Sequence, residues 1–336
     1  MLEFYFFPFV FLFAVAVTGV VRTHAIRSRM LALPSHRSSH EVPTPVGGGV
    51  AIVLAYLICL AAAILTFGLQ WQHALLLTMS LPVAIAGYLD DRRQLGAGLR
   101  LSVQLLCAFS AVYLAEGIPA LHLGDLQIQG VWLQWFVLPL ALVWLCNLYN
   151  FMDGIDGLAG SEAAFVCLAA AILLVLGNDL TLAWLCLGLF AGASGFLVWN
   201  WSPARLFMGD VGSGFLGLTL GLVALVAHHH GSMSLWSWVI LLASFMVDAT
   251  FTLVRRLLRR ENVTQAHRQH AYQHAAMRLA SHRKVCLTVL SINVIWLFPL
   301  AALANLHPEH GVYFAAMAIV PLLVLAYRLD AGRESL

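Results

Sequence analysis

Four polar residues recur at every third position between two apolar segments: Asn147, Asn150, Asp153 and Asp156. Each three-residue step drifts by about 60° on an α-helix, whereas the four side chains would nearly eclipse in a 3₁₀ turn. Neighbouring pairs therefore share a face in either case. Glycines at 154, 157 and 160 let another backbone or a ligand approach this run closely.

Three more aspartates occur in separate polar segments: the pair Asp90-Asp91, and Asp210, which follows Gly209. The 147–160 segment contains no Lys or Arg, so its carboxylates lack a local counter-ion. Crowded carboxylates favour a bound cation. Hard oxygen ligands suit Mg²⁺, which usually binds one or two carboxylates together with substrate phosphates; Mn²⁺ is the alternative ion. Loops that are acidic only because they are solvated are the competing interpretation, and the combination of five aspartates with adjacent glycines favours the site.

The composition defines the elements that must position these residues. Apolar residues make up 61% of the 336-residue chain and charged residues 10%, whereas a soluble domain is roughly 25% charged. We therefore predict an all-α, polytopic integral membrane protein, and we exclude a soluble enzyme, a disordered chain and a nucleic-acid-binding protein. The six cysteines lie in or beside apolar runs without C-x-x-C spacing, which predicts neither disulfides nor a zinc site.

A spanning helix needs about 20 mostly apolar residues. Eleven segments meet this description, and the first, without a basic region before it, is read as a retained helix rather than a cleaved signal peptide. The predicted spans are 4–21, 46–68, 73–89, 101–116, 131–147, 161–177, 180–199, 213–228, 234–254, 285–305 and 311–327.

All 18 Lys and Arg residues fall in alternate connections or in the C-terminal tail. Because positive residues favour the cytoplasmic side, we predict a periplasmic N-terminus and a cytoplasmic C-terminus. The whole chain, 1–336, is then a single transmembrane catalytic domain. Its site is built from five cytoplasmic segments: 22–45, 90–100, 147–160, 200–213 and 255–284.

The basic 255–284 segment contains His267, His270 and His274, whose spacing predicts one helical face with Arg268 beside it. A mixed His and Arg face suits an anionic phosphate; a histidine zinc site is the weaker alternative. A juxtamembrane patch that holds anionic lipid is the alternative interpretation of the arginines at 255, 256, 259 and 260. Asp248 lies inside a span near Arg255 and Arg256, so snorkelling or ion pairing is expected there. The triplet at 228–230 is predicted to be external and interfacial.

Taken together, these motifs resemble the polyprenyl-phosphate N-acetylhexosamine-1-phosphate transferases, a family that includes the phospho-MurNAc-pentapeptide translocase. Two runs carry most of the resemblance: Asn147-x-x-Asn150-x-x-Asp153-Gly-x-Asp156-Gly and Phe207-Met208-Gly209-Asp210-Val211-Gly212-Ser213. The form Ser38-Ser39-His40…Pro43-Thr44-Pro45…Gly47-Gly48-Gly49 resembles the O-antigen-initiating branch. The resemblance implies Mg²⁺-dependent transfer of a sugar phosphate from a UDP-N-acetylhexosamine to undecaprenyl phosphate, with release of UMP, in the bacterial inner membrane.

The resemblance also assigns roles to residues. Asp210 matches the metal-binding aspartate, Asp156 a second metal or diphosphate contact, Asn150 and Asp153 the nucleotide pocket, and the pair at 90–91 the lipid phosphate. The predicted catalytic residues are Asp90, Asp91, Asp153 and Asp156. The predicted metal ligands are Asp210 and Asp156. The predicted substrate-binding residues are Asn150, Asp153, Gly209, His267, Arg268, His270 and Gly48.

A departure from the family pattern argues against the muramyl-pentapeptide substrate. The chain reads His267-Arg268-Gln269-His270, whereas the muramyl-pentapeptide branch has three consecutive histidines. N-acetylglucosamine and its deoxy or epimerised relatives are all alternatives for the sugar. The sequence also leaves open a homodimer.

A secondary transporter with regulatory loops is the main rival function, although transporters place polar groups near mid-membrane. A CDP-alcohol phosphotransferase lacks support because its D-G-x-x-A-R signature is absent.

Overall fold

The computed structural model describes residues 2–33, 42–115, 121–123, 126–128, 130–262 and 267–334. The fold is all-α, as predicted, apart from two short antiparallel strand pairs. The helices of the first half are α1 (Leu2–Arg27), α2 (Gly49–Phe67), α3 (Trp71–Thr78), α4 (Ser80–Arg93), α5 (Ala97–Leu114), α6 (Leu138–Met152) and α7 (Leu158–Leu176). Those of the second half are α8 (Leu180–Asn200), α9 (Asp210–His229), α10 (Leu235–Leu241), α11 (Ala243–Leu258), α12 (Ala271–Leu279), α13 (His282–Ile292), α14 (Phe298–Leu306) and α15 (Gly311–Arg328). The strand pairs are β1 (Leu31–Ala32) with β2 (Thr44–Pro45), and β3 (Leu121–Leu123) with β4 (Leu126–Ile128).

Within the described residues, ten helical segments are long and apolar enough to cross a membrane, and one bent pair would make an eleventh. Four of the ten run through more than one helical element, such as α3 with α4. The chain is therefore a multi-pass membrane protein. The predicted span over 234–254 corresponds to this bent pair, in which α10 and α11 meet at Leu242 at an angle of 74°.

Helix α9 forms the centre of the bundle, since 94% of the residues in its most apolar stretch are buried. It packs against α2, α4 and α6. Along α6 the contact is a seam of glycines: a Cβ on Gly217 would lie 2.2 Å from the Leu145 carbonyl oxygen, and one on Gly221 2.6 Å from a Leu142 methyl. The missing side chains let the two helices approach closely.

Several segments predicted to be loops are helix ends. Asp90 and Asp91 lie in the last turn of α4, and Asn150 lies in the last turn of α6. The connection from α6 to α7 is therefore only five residues long, 153–157. Short polar turns on rigid helices hold side chains in place more firmly than long loops do.

The segment before α2 is tied to the segment before α9. The Gly48 and Gly49 amides donate to the carbonyls of Phe207 and Met208, both at 2.9 Å. A Cβ on Gly49 would lie 2.2 Å from the Gly212 Cα, so the starts of the two helices touch through their backbones. This contact fixes the loop that leads into Asp210.

The opposite end of α9 carries a second polar cluster. His230 Nδ1 lies 2.8 Å from an Asp179 carboxylate oxygen, and its Nε2 lies 3.2 Å from His73 Nδ1. All six cysteines are free and buried, which confirms the apolar interpretation.

Candidate active site

A cavity of about 310 Å³ opens among the polar helix ends. Six of the predicted site residues line it: Asp91, Asn150, Asp153, Asp156, Gly209 and Asp210. A narrower cleft of about 70 Å³ lies beside it and shares Asn150 and Asp210 with it. Arg100 lines this cleft together with apolar residues such as Val83 and Val103. Two pockets, one lined by four aspartates and one lined by Arg100, thus meet at Asn150 and Asp210.

Asp210 is the first residue of α9, and both of its carboxylate oxygens are bound by side chains. Asn150 Nδ2 donates to Oδ1 at 2.7 Å, and Arg100 donates to Oδ2 at 2.7 Å. The same Arg100 nitrogen lies 2.7 Å from the Asp90 carboxylate, whose other oxygen accepts the Leu95 amide. Arg100, from the first half of α5, therefore joins Asp90 to Asp210 and supplies a counter-ion to both carboxylates.

Asp91 caps α9 from another helix. Its two oxygens accept the backbone N–H groups of Asp210 at 2.9 Å and of Val211 at 3.2 Å. The first amides of a helix have no partner within it, and a carboxylate there also interacts favourably with the helix dipole. Gly209 precedes them with φ +77°, and a Cβ there would lie 2.5 Å from Asp91 Oδ2. Glycine at 209 therefore lets Asp91 reach the end of α9.

Asp153 directly follows α6 and lines the cavity. Burial, and then the negative charges of Asp210 and Asp91, raise the pKa of its carboxyl well above the usual range, against an opposing hydrogen bond from the Gly209 backbone. Its ionised form is thus disfavoured by crowding with other carboxylates. Bound positive charge would relieve that repulsion.

Asp156 faces a partner that the sequence did not reveal. Its carboxylate lies 3.3 Å from His282 Nδ1 and accepts the Ala204 amide at 3.1 Å. Although burial acts in the opposite direction, the hydrogen bonds from His282 and Ala204 lower the pKa of Asp156 below its usual value. This residue ties the 153–157 turn to α13 and to the 201–209 loop.

The donor set fits a hard divalent cation that binds together with phosphates. Within the described ranges, no three His, Cys, Asp or Glu side chains are placed to enclose a metal ion by themselves. Mg²⁺ rarely needs such a cage, because it keeps water and phosphate ligands beside one or two carboxylates. Asp210 with the predicted partner Asp156, or with Asp153, would provide those carboxylates, and ionised oxygens retain free lone pairs beyond the bonds described above.

The histidine segment differs from its predicted form. Helix α12 begins at Ala271, so His270 is its cap and His267 precedes it, and the predicted single helical face is wrong. His270 stacks on His267 at 4.9 Å between ring centroids and on Phe151 at 6.2 Å. His267, Arg268 and His270 thus lie at the start of α12, beside the end of α6 but outside the lining of the cavity. Gln273, one turn further on, does line it.

Asp248 orients this helix. Its carboxylate accepts the Ala271 and Tyr272 amides at 2.8 and 2.9 Å, and it lies 3.3 Å from His270 Nδ1. The expected snorkelling or pairing with Arg255 and Arg256 is therefore wrong. Tyr272, held at the start of α12, donates to the Phe151 carbonyl at 3.0 Å, which joins α12 to α6.

Some predictions fall elsewhere. Gly48 packs the start of α2, where a Cβ would lie 2.4 Å from a Phe196 ring carbon, and it does not line the cavity. The Ser38-Ser39-His40 part of the first motif lies outside the described residues.

Sequence reasoning missed Arg100, Gln273, His282 and Glu162. The first three gave no local signal, since each was only one charge or polar group among several in its segment. Glu162, a lone acid within an apolar span, did offer a signal. It is buried in α7, where it accepts hydrogen bonds from Ser244 and from Asn293.

Comparison with known proteins places these observations in context. Residues 73–228, which include all five site aspartates, match the glycosyl transferase family 4 model. The chain is 28% identical over 288 residues to a probable undecaprenyl-phosphate N-acetylglucosaminyl 1-phosphate transferase of Bacillus subtilis, covering 83% of this chain and 79% of that protein. It is 26% identical over 337 residues to an undecaprenyl-phosphate alpha-N-acetylglucosaminyl 1-phosphate transferase of Yersinia pestis, covering 96% and 88%. A phospho-N-acetylmuramoyl-pentapeptide-transferase of Lactiplantibacillus plantarum is 31% identical over 214 residues, covering 57% and 64%.

Proposed function

We propose that the chain is a glycosyl transferase family 4 enzyme that transfers N-acetylhexosamine 1-phosphate from a UDP-sugar to undecaprenyl phosphate and releases UMP. Support comes from the match of residues 73–228 to that family's model and from the similarity of two of the relatives over most of the chain. The observation that carries this proposal is the meeting of the two pockets at Asn150 and Asp210. A reaction between a nucleotide diphosphate and a lipid phosphate needs two pockets that share a wall.

In this proposal the diphosphate of the UDP-sugar lies in the larger cavity, against Asp153 and Asp156. The lipid phosphate lies in the narrow cleft, where Arg100 binds it and the apolar lining accommodates the start of the chain. An oxygen of the lipid phosphate attacks the β-phosphorus, the bond from that phosphorus to the bridging oxygen breaks, and UMP leaves with the α-phosphate. Phosphoryl transfer of this kind depends mainly on positioning and charge neutralisation.

Bound Mg²⁺ would neutralise the diphosphate and the charge that develops on the leaving UMP. Asp210 is the proposed principal ligand, with Asp153 or Asp156 as the second. Asn150 orients the Asp210 carboxylate, and Asp91 fixes the end of the helix that carries it.

A general base is not required. A phosphate monoester has its second pKa near ~6, so the nucleophile is largely dianionic at neutral pH. Asp90 is also engaged by Arg100 and by the Leu95 amide, which suits a residue that positions Arg100. Asp90→Asn should therefore lose activity that higher pH does not restore, whereas near-full recovery at pH 9 would support a base.

We further propose that the site faces the cytoplasm of a bacterial inner membrane and that the product starts an O-antigen or a related surface polysaccharide. Support comes from the one-sided distribution of Lys and Arg and from the form of the 38–49 motif. A strain that lacks its initiating enzyme makes no polymer, and expression of this chain in that strain should restore the polymer.

The decisive experiment measures UMP release from a panel of UDP-N-acetylhexosamines with undecaprenyl phosphate, with and without Mg²⁺. Asp210→Asn should abolish release, and Glu309→Gln, which removes an exposed acid distant in sequence from the site, should not. Absence of release from every UDP-sugar tested would overturn the assignment. Release that persists after chelation of Mg²⁺ and Mn²⁺ would remove the metal from it.

A further inference from the structure

A second large cavity, of about 1200 Å³, lies beside α12 and shares no lining residue with the candidate active site. Its polar lining comes from α11, α12 and the segment after α15. The charged residues that line it are Arg255, Arg259, Arg278, Arg333, Asp330 and Glu334. The basic 255–284 segment therefore divides in the structure. Gln273 and His282 line the candidate active site, and three of the seven arginines of the segment, Arg255, Arg259 and Arg278, line the second cavity.

The cavity carries surplus positive charge, because four arginines face two carboxylates. Asp330 pairs with Arg278 at 2.8 Å and with Arg333 at 3.2 Å. Arg255 and Arg259 instead donate to backbone carbonyls, at 2.9 and 3.2 Å. Of these two, Arg259 alone has a carboxylate neighbour within the described residues, Glu261 at 3.3 Å. Carbonyl oxygens orient a guanidinium without cancelling its charge, so the cavity attracts an anion.

The wall of this cavity is built and ordered. The Gly332 amide donates to the Gln269 carbonyl at 2.7 Å, which folds the segment after α15 back towards α12. His274 lines the cavity, is 4% exposed, and has an Nε2 without a hydrogen-bond partner among the described residues. A buried polar atom without a partner is unfavourable unless a ligand or water supplies one.

An apolar surface adjoins the basic one. Leu258 is 80% exposed at the rim, and Arg278 also lines a neighbouring cavity of about 300 Å³. That neighbouring cavity is mostly apolar, with Val289, Leu325 and Leu329 in its lining. Arg278 thus lies where a basic chamber meets an apolar one.

We propose that these two adjacent cavities, which share Arg278 in their linings, bind an anionic phospholipid of the membrane, with the phosphate among the arginines and an acyl chain in the apolar chamber. Helix α11, which bends by 74° away from α10, supports this choice. It exposes Val254, Leu257 and Leu258 among its arginines, a pattern typical of a helix that lies in the membrane interface. A free anion would not use the apolar chamber. The undecaprenyl phosphate of the proposed reaction has a separate cleft at Arg100.

The test is binding by the full-length chain, purified in neutral detergent and measured by native mass spectrometry. The probes are phosphatidylglycerol and phosphatidylcholine with the same acyl chains; undecaprenyl phosphate and inorganic phosphate serve as competitors. The variant Arg259→Gln/Arg333→Gln removes two half-exposed arginines of the cavity. Arg283→Gln/Lys284→Gln removes the same charge from exposed positions in the same segment.

We expect phosphatidylglycerol to bind about tenfold or more tightly than phosphatidylcholine. The cavity variant should bind it roughly thirtyfold more weakly, from about 1 kcal/mol for each arginine near a lipid phosphate. The control variant should stay within about twofold of the unmodified protein, because its charges lie elsewhere. Should the double variant unfold, Arg333→Gln alone should still weaken binding roughly fivefold.

Four results would overturn the proposal: equal binding of the two phospholipids, equal losses in the cavity and control variants, displacement by stoichiometric undecaprenyl phosphate, or displacement by millimolar inorganic phosphate. The third would assign the cavities to the substrate and the fourth to a free anion. Because binding is measured without turnover, the outcome is independent of the proposed transferase activity.

Discussion

Replacing Asp91 with alanine or with asparagine separates a positioning role for this carboxylate from a role in the chemistry. In the structure Asp91 accepts the Asp210 and Val211 amides at 2.9 and 3.2 Å and so completes the first turn of α9. Alanine removes both acceptors. Asparagine keeps one amide oxygen that can accept either N–H, and it ranks with aspartate as a capping residue.

The expected losses follow from those bonds. Removing a helix cap costs about 0.5–2 kcal/mol, and a buried donor left without a partner costs about 1–3 kcal/mol. If about 2 kcal/mol of this loss reaches Asp210, Asp91→Ala should lower kcat/KM roughly thirtyfold. Asp91→Asn loses the charge–dipole interaction, about 0.3–1 kcal/mol, and should lower kcat/KM roughly two- to fivefold.

The assay is UMP release at saturating Mg²⁺, so that weaker metal binding after removal of a nearby charge does not mimic the effect. Thermal unfolding in the same detergent checks that both variants are folded. If Asp91→Asn is as inactive as Asp91→Ala while both unfold at the temperature of the unmodified protein, the negative charge itself acts in the reaction and the capping explanation is wrong.

Three further predictions follow from other contacts. Arg100→Gln should lower kcat/KM roughly ten- to a hundredfold, from about 1–3 kcal/mol for a partly exposed charged bond, whereas Arg93→Gln, which removes an exposed arginine from the end of the same helix α4 that carries Asp90, should change it little. Glu162→Leu should lower the unfolding temperature by several degrees, from about 1–3 kcal/mol for each buried donor left unpaired, and Glu162→Gln should lower it less because glutamine can still accept from Ser244. Burial, and then the charges of His270 and Arg256, lower the pKa of His267 to about 4. The unfolded state therefore binds more protons than the folded state between about pH 4 and 6.5, so the free energy of unfolding should fall as the pH falls through that range. The variant His267→Gln should lose less stability over the same range.

Each of these has a result that contradicts it. Equal losses from Arg100→Gln and Arg93→Gln would mean that net charge matters and the Asp90–Asp210 bridge does not. Unchanged unfolding temperatures for Glu162→Leu would show that its two hydrogen bonds contribute nothing net. Parallel pH curves for His267→Gln and the unmodified protein would mean that His267 keeps an ordinary pKa.

Apolar runs of spanning length were enough to predict the helical membrane fold, because lipid allows few alternatives to a helix whose backbone bonds are satisfied internally. The bend at Leu242 could not be predicted, since no Pro or Gly marks it. The aspartates could be chosen because acids are rare in this composition. Their partners could not: Arg100 and His282 reach Asp210 and Asp156 only through packing of helices distant in sequence. Asp248 was misread for the same reason, because α12 returns to it across 22 residues.

The glycine contact between α6 and α9 also affects the polar residues at the ends of these helices. Asn150 and Asp210 lie at the ends of these two helices, and their 2.7 Å contact inherits its spacing from positions within the bilayer-spanning part, where Gly217 and Gly221 present no side chain to α6. A methyl group added at either glycine would push the two helices apart and so separate Asn150 from Asp210, although neither glycine lies at the polar end. The distance between the walls of the two pockets is thus set from inside the bundle, by residues that carry no functional group.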